Sequence, residues 1–186
     1  MNGLKRKNKI SFSPFPILKT ERLSLRKIEE SDCDTILFLR SDKVINEFIY
    51  RPESSRTKNK ADAHLFIQKI HSGIRRNQFI SWGITLHKDP KIIGTICLWN
   101  FSKDLRTAEV GYDLNPIYQG KGIMTEALNK VIHFGQNELN FNKIEAFTHK
   151  ENEASKKLLE KCGLALNTDR VDLDNLNNLI FETTQI

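Results

Sequence analysis

The stretch AEVGYDLNPIYQGKGIMTEAL, residues 108–128, decides the fold. Val110, Tyr112 and Leu114 alternate with polar or small neighbours, the period of a half-buried strand. Asn115-Pro116 stops the strand, and Gln119-Gly120-Lys121-Gly122 makes a glycine-rich turn. Ala127, Leu128, Val131 and Ile132 then recur at helical spacing. A helix that starts from such a turn presents main-chain N–H groups with no internal partner, together with the positive end of its dipole, so an anion is favoured there. Gly120 and Gly122 allow phosphate oxygens to approach the backbone, and Lys121 adds a cation. An ordinary tight turn satisfies the same pattern, so the segment alone leaves both readings open. Two nucleotide motifs are excluded: Lys121 is followed by glycine where a P-loop needs Ser or Thr, and no GxGxxG is present.

Outward from this segment, the chain reads as strands and helices in mixed order. Leu23 and Leu25 alternate within 22–27 as a strand, and Ser31-Asp32-Cys33-Asp34 has capping-box spacing ahead of Ile36, Leu37, Phe38 and Leu39. Residues 52–59 read as a loop, and Ala63, Ile67, Ile70 and Ile74 as one helix face. Ile80, Trp82, Ile84 and Leu86 alternate, Asp89-Pro90 turns, and 92–99 returns as a second strand. After the 108–128 unit, 143–149 alternates again, 152–162 is a short helix closed by Gly163, and 164–186 has room for two strands. The predicted order is β-α-α-β-β-β-α-β-α-β-β, an α/β (or α+β) chain around one central sheet.

Composition bounds the function. The chain has 186 residues, 39% hydrophobic and 28% charged, which fits one globular domain with no need of metals or disulfides. No apolar run approaches the length that spans a bilayer, so no membrane role is expected. The net charge is +6, and Lys5, Arg6, Lys7 and Lys9 supply +4 of it with no acid among residues 1–12. The body is therefore nearly balanced, and no direct nucleic-acid binding is expected of it. Residues 1–16 read as a basic flexible N-terminal arm and 17–186 as the domain. Cys33, Cys97 and Cys162 have no metal spacing and suggest reduced thiols in a cytoplasmic protein. Pro14 and Pro16 interrupt any apolar core of a signal peptide.

The 108–128 unit resembles motif A of the GNAT acetyltransferases, Gln/Arg-x-x-Gly-x-Gly/Ala, with Gln119, Gly122 and, less closely, Met124 on the pattern. Thr20-Glu21-Arg22-Leu23-Ser24-Leu25-Arg26, with Glu30-Ser31-Asp32, resembles the opening of the Rim-type ribosomal-protein N-terminal acetyltransferases. Ile93-Gly94-Thr95-Ile96 is similar to the strand before motif A, and Asn152-Glu153-Ala154-Ser155 with Glu160-Lys161-Cys162-Gly163 to motif B. The resemblance covers about residues 17–170. It implies a GNAT fold with a mostly antiparallel sheet that splays between the family's fourth and fifth strands. It also implies acetyl-CoA as cosubstrate, no metal, and a loop of Gln119, Gly120, Lys121, Gly122, Ile123, Met124 and Thr125 around the pyrophosphate.

The same resemblance suggests roles. Glu109 lies where relatives place a general base, main-chain N–H groups at Tyr112, Asp113 or Leu114 would face the oxyanion, and Asn152 would bond a pantetheine amide. Leu159 stands where many relatives have an acid tyrosine, which leaves Ser155 as the nearest hydroxyl for that task. Because a thiol has a pKa near 8.5, the thiolate can also leave without an enzymic acid. Met124 is tolerable if its side chain turns into the core, and Leu164 replaces a common Phe conservatively. Each residue also has a plain structural reading: Glu109 as a solvated strand residue, Tyr112, Trp82 and Trp99 as core aromatics, Ser155 as a helix-face serine. His64, His71, His133 and His149 read as surface or groove residues without metal spacing. The expected acceptor is a primary amine, with a protein N-terminal α-amine first. Small amines (polyamine, aminoglycoside or amino-acid derivative) and a non-catalytic acetyl-CoA-binding or ribosome-docking module are the alternatives. The family also makes a homodimer an expectation. Phe48, Tyr50 and the loop 51–60 fall where the family builds its acceptor groove.

Overall fold

The structure, a computed structural model, describes residues 10–183. Its strands are β1 (Leu18–Lys19), β2 (Leu23–Arg26), β3 (Ile80–Leu86), β4 (Asp89–Trp99), β5 (Thr107–Leu114), β6 (Lys143–His149), β7 (Leu164–Asn167) and β8 (Asn178–Thr183). Helices α1 (Cys33–Ser41), α2 (Lys60–Arg75), α3 (Ile123–Asn137) and α4 (Glu153–Lys161) connect them. The strands form one sheet in the order β1-β2-β3-β4-β5-β6-β8-β7. Every pairing is antiparallel except β5 with β6. That exception follows from connectivity, since β5 reaches β6 through the crossover helix α3.

Local sequence accounts for most of these elements. In α2 the buried residues include Ala63, Ile67, Ile70 and Ile74, the expected stripe, and the Asn59 side chain caps the helix by accepting from Asp62 N–H at 3.0 Å. The cap of α1 differs from expectation. A 3-10 turn, Glu30–Asp32, precedes the helix, so the reach-back carboxylate is Asp32, which accepts from Glu29 N–H at 2.8 Å. Arg26 then holds Asp32 in a bidentate pair, both contacts at 2.8 Å, which ties the end of β2 to the start of α1.

The core also corrects two expectations. The segment 10–16, expected as the end of the flexible arm, is packed: Ile10 and Phe12 are buried, and Phe12 N–H donates to Asn77 Oδ1 at 3.0 Å. Phe15 meets the edge of the fully buried Trp82, whose Nε1–H donates to Pro16 O at 2.7 Å. The indole needs both an apolar seat and an acceptor, and this segment supplies them. The four cations at 5–9 lie outside the described residues. Trp99 is the second correction, because it is 44% exposed and lies off the core.

Candidate active site

Pairing of β5 with β6 covers only Thr107, Ala108 and Glu109 against Lys143, Ile144 and Glu145. Beyond Glu109 the two strands part, while β5 stays paired to β4 as far as Leu114. Asn115 N–H donates to Ile93 O in β4, and Arg106 O accepts from Asn142 and Lys143 N–H on the other side. Strand alternation therefore aims the N–H groups of Tyr112 and Leu114 at the gap and that of Asp113 at β4. Of the three main-chain donors expected at the oxyanion, two face the opening and Asp113 does not.

The glycine turn lies past the end of β5. Gly120 and Gly122 have φ +71° and +72°, a region in which other residues are strained. Gly122 caps α3, whose first main-chain bond runs from Glu126 N–H to Gly122 O at 3.1 Å. The amides of Ile123, Met124 and Thr125 thus have no partner within the helix, which is the chemistry a pyrophosphate needs. A Cβ at Gly120 would meet nothing within 4 Å, so the turn is open on its outer side. Gln119 Nε2–H donates to Leu114 O at 3.2 Å and braces the turn against the strand. Met124 is buried, as its place in the pattern requires, and Ile123 with it. Lys121 is turned back, its Nζ donating to Ile117 O at 2.8 Å.

Residues 20–22 complete this region, a role that motif matching on the turn alone does not show. Thr20 Oγ1–H and Arg22 N–H donate to Glu126 Oε1 at 2.5 and 2.9 Å, and Arg22 Nε–H donates to Oε2 at 2.6 Å. Arg22 Nη1–H also donates to Lys121 O at 3.0 Å, which fixes the turn to the start of β2. The signal in sequence is the Thr20-Glu21-Arg22 opening together with an acid in the first turn of α3.

Glu109 stands at the last paired position before the gap. Burial pushes its carboxyl up to about 7, and the nearby charges of Glu145 and Asp172 add to this, against a hydrogen bond from Asn100 Nδ2 at 3.3 Å. Glu145, its neighbour across the ladder, is also opposed by burial, but hydrogen bonds from Arg170 and Lys143 hold it below the usual range. One carboxyl is thereby held ready to gain or lose a proton near neutrality beside another that stays charged. A shallow cavity of about 570 Å³, lined by Asn100, Lys143, Glu145 and Arg170 among others, opens beside these groups.

On the other side of the gap, Asn152 caps α4, its Oδ1 accepting from Ser155 N–H at 3.0 Å. Ser155 Oγ lies 2.8 Å from the hydroxyl of Tyr112. Burial pushes that phenol up to about 12, so it is a neutral donor at physiological pH. Tyr112 is thus neither a simple core aromatic nor isolated, since its hydroxyl spans from β5 to α4. The Asp113 carboxylate lies on the opposite strand face, where Thr95 N–H and Oγ1–H both donate to Oδ1 at 3.0 Å. Leu159 is buried and carries no acid chemistry. Phe48 stacks on the His149 imidazole at 5.4 Å between centroids and closes the far end of β6.

A free helix N-terminus beside two parallel strands that separate at a carboxyl raised toward neutrality is an arrangement that suits an acyltransferase with a phosphate-bearing acyl donor. The GNAT acetyltransferase domain model matches residues 22–165. The chain belongs to the GNAT family: it is an N-acetyltransferase with acetyl-CoA as cosubstrate. It is 32% identical over 149 residues to the uncharacterized N-acetyltransferase YoaA of Bacillus subtilis (strain 168), covering 80% of this chain and 82% of that one. The ribosomal-protein-S5-alanine acetyltransferase of Vibrio fischeri has a similar fold, with a TM-score of 0.77 at 22% identity over 91% of this chain and 97% of that one. The ribosomal L7/L12 α-N-protein acetyltransferase RimL, solved with coenzyme A, has a TM-score of 0.77 at 15% identity, covering 91% and 98%. No helix among the described residues is long and apolar enough to cross a membrane.

Proposed function

We propose that this enzyme acetylates a protein N-terminal α-amine, with Glu109 as the general base. The observation that carries this reading is the Glu109 carboxyl held at about 7 where β5 and β6 part. An α-ammonium loses its proton near pH 8, so passing it to such a carboxylate is uphill by about 1.4 kcal/mol. A lysine ammonium near 10.4 would make the same step uphill by roughly 4.6 kcal/mol. A base of this strength suits an α-amine and is poorly matched to a lysine side chain. The fold shared with enzymes whose names specify ribosomal-protein acetylation supports the same acceptor class.

The thioester supplies an acetyl carbon open to attack and a thiol as the leaving group. Glu109 accepts the ammonium proton, directly or through one water, as nitrogen attacks. The Tyr112 and Leu114 N–H groups donate to the oxyanion that forms. The Tyr112–Ser155 hydroxyl pair is placed to return a proton to the sulfur. The free amides of Ile123, Met124 and Thr125, with Gly120 and Gly122, hold the pyrophosphate, and Asn152 keeps its amide N–H for the pantetheine arm. The three free cysteines are consistent with a cytoplasmic setting.

The test is thiol release from acetyl-CoA with short peptides of varied first residue, the same peptides N-terminally blocked with an internal lysine, and a set of small amines. Turnover on free N-termini and none on blocked peptides is expected. Turnover confined to small amines or to lysine would contradict the reading.

A further inference from the structure

Glu109 and Trp99 are partners across the β4–β5 ladder, as are Gly111 and Cys97, so these four positions share one face of the sheet. The half-exposed Trp99 indole does not stand straight out from its strand. It leans along β4 toward Cys97, which brings Nε1 within 3.6 Å of the point where a Cβ on Gly111 would lie. The other atom near that point is Cys97 Sγ at 3.3 Å, and nothing else among the described residues comes within 4 Å. That thiol is already engaged, donating to Gly111 O at 3.5 Å. Gly111 follows Glu109 on this face, and pairing with β6 stops at Glu109, so the bare Cα of Gly111 floors the start of the strand gap. The indole N–H stands over that floor, beside the base.

Two polar groups are left over here. Asn100 Nδ2–H donates to Glu109 Oε2 at 3.3 Å, and Oε1 has no hydrogen-bond partner among the described residues. Trp99 Nε1–H has none among them either, whereas the buried Trp82 donates to Pro16 O. An indole nitrogen can only donate, so what it lacks is an acceptor oxygen. The strand positions beneath the base and the indole N–H, 109 and 111, are about 6.6 Å apart at ~3.3 Å per residue. In an α-aminoacyl group the nitrogen and its own carbonyl oxygen are three bonds apart, roughly 3–3.5 Å in space. Hydrogen bonds of ~2.9 Å at each end, amine to Glu109 and Nε1–H to oxygen, bridge that separation with room to bend. A lysine side chain or a polyamine has no carbonyl at this distance from its amine and leaves the indole to water.

We propose that the Trp99 indole N–H binds the first carbonyl oxygen of the acceptor and thereby selects amines carried on a carbon next to a carbonyl. This rests on the α-amine reading above and adds the group that tells an α-amine from any other amine. The occupant of the floor at Gly111 is the first residue of the acceptor, its nitrogen toward Glu109 and its carbonyl toward Trp99.

The test compares Trp99→Phe, which keeps an aromatic ring and loses the N–H, with the wild type on two matched acceptors. One is a short peptide with a free N-terminus, the other the same peptide with its first amide replaced by a trans-alkene, which keeps the shape and removes the carbonyl. Each variant rate is divided by the wild-type rate on the same acceptor, so the different basicities of the two amines cancel. For the peptide, kcat/KM should fall about fivefold, mostly through KM, the scale of one neutral hydrogen bond. For the alkene analogue it should change less than twofold, with the acetyl-CoA KM, which reports an intact site, unchanged on both. An equal loss on both acceptors, or no loss on the peptide, overturns the proposal. The acceptor class is judged separately on the wild type, with alaninamide and isopropylamine as the matched small amines. Peptide turnover that is indifferent to Trp99→Phe defeats only the carbonyl contact. Turnover confined to small amines, with a loss in Trp99→Phe on alaninamide and not on isopropylamine, defeats only the peptide reading. Turnover confined to amines without a neighbouring carbonyl defeats both.

Discussion

Two loops flank the gap between β5 and β6, and they are held in different ways. The turn at 119–122 is tied to residues about a hundred positions away, by Arg22 to Lys121 O and by Thr20 and Arg22 to Glu126. Among the described residues the loop at 42–59 has hydrogen-bond partners no further than 17 positions off, such as Arg40 with Thr57, and it reaches His149 through the stack of Phe48. The 119–122 turn is fixed by the fold, while 42–59 is a locally folded loop whose residues can change without disturbing the sheet. On the proposed reading, the first holds the cosubstrate and the second meets the acceptor.

The contrast can be broken by changes on either side. Gly122→Val carries the largest expected effect on cosubstrate binding. Its φ of +72° disfavours a β-branched residue, and the added side chain stands 3.5 Å from Arg22 Nη2 at its first carbon. Acetyl-CoA affinity measured by calorimetry should fall by more than about tenfold, given a strain of ~1–2 kcal/mol and loss of close backbone approach. Arg22→Gln removes the tether and leaves the turn itself intact. Steady-state kinetics should give an acetyl-CoA KM raised about fivefold with kcat nearly kept, since a half-exposed charged contact is worth ~1 kcal/mol. An equal rise from Arg51→Gln would erase the distinction between the loops. The smallest effect is expected from Glu145→Gln. Removing a charge that helps burial hold Glu109 up should move the midpoint of the kcat/KM profile to lower pH by about 0.5–1, and a move upward would contradict the electrostatic account.

What was legible in sequence follows the same division. Hydrophobic period placed α2, β5 and α3 because each buries one face, apolar alternation marked β3 and β4 although β3 is buried on both faces, and the glycine turn was legible because positive φ at two positions demands glycine. Ile10, Phe12 and Phe15 were hidden among prolines and serines, and the segment packs on residues far along the chain, Phe12 on Phe101 and Phe15 on Trp82, which no local pattern encodes. Glu109 could be named from its place in the strand, but its raised pKa depends first on burial in the folded chain and then on Glu145 and Asp172 coming near it, against a hydrogen bond from Asn100.

The central claim is that Glu109 takes the acceptor proton at the mouth of the strand gap. Its most direct test is the pH dependence of kcat/KM for a good peptide acceptor in the wild type and in Glu109→Gln. A carboxylate serves as base only when deprotonated, so wild-type activity should rise through a limb centred near pH 7, in addition to the limb of the α-amine near pH 8. Glu109→Gln should lower kcat/KM by roughly 10²-fold, abolish the lower limb and keep the upper one, with acetyl-CoA affinity unchanged. A variant that keeps full activity, or one that loses activity but retains both limbs, would contradict the assignment.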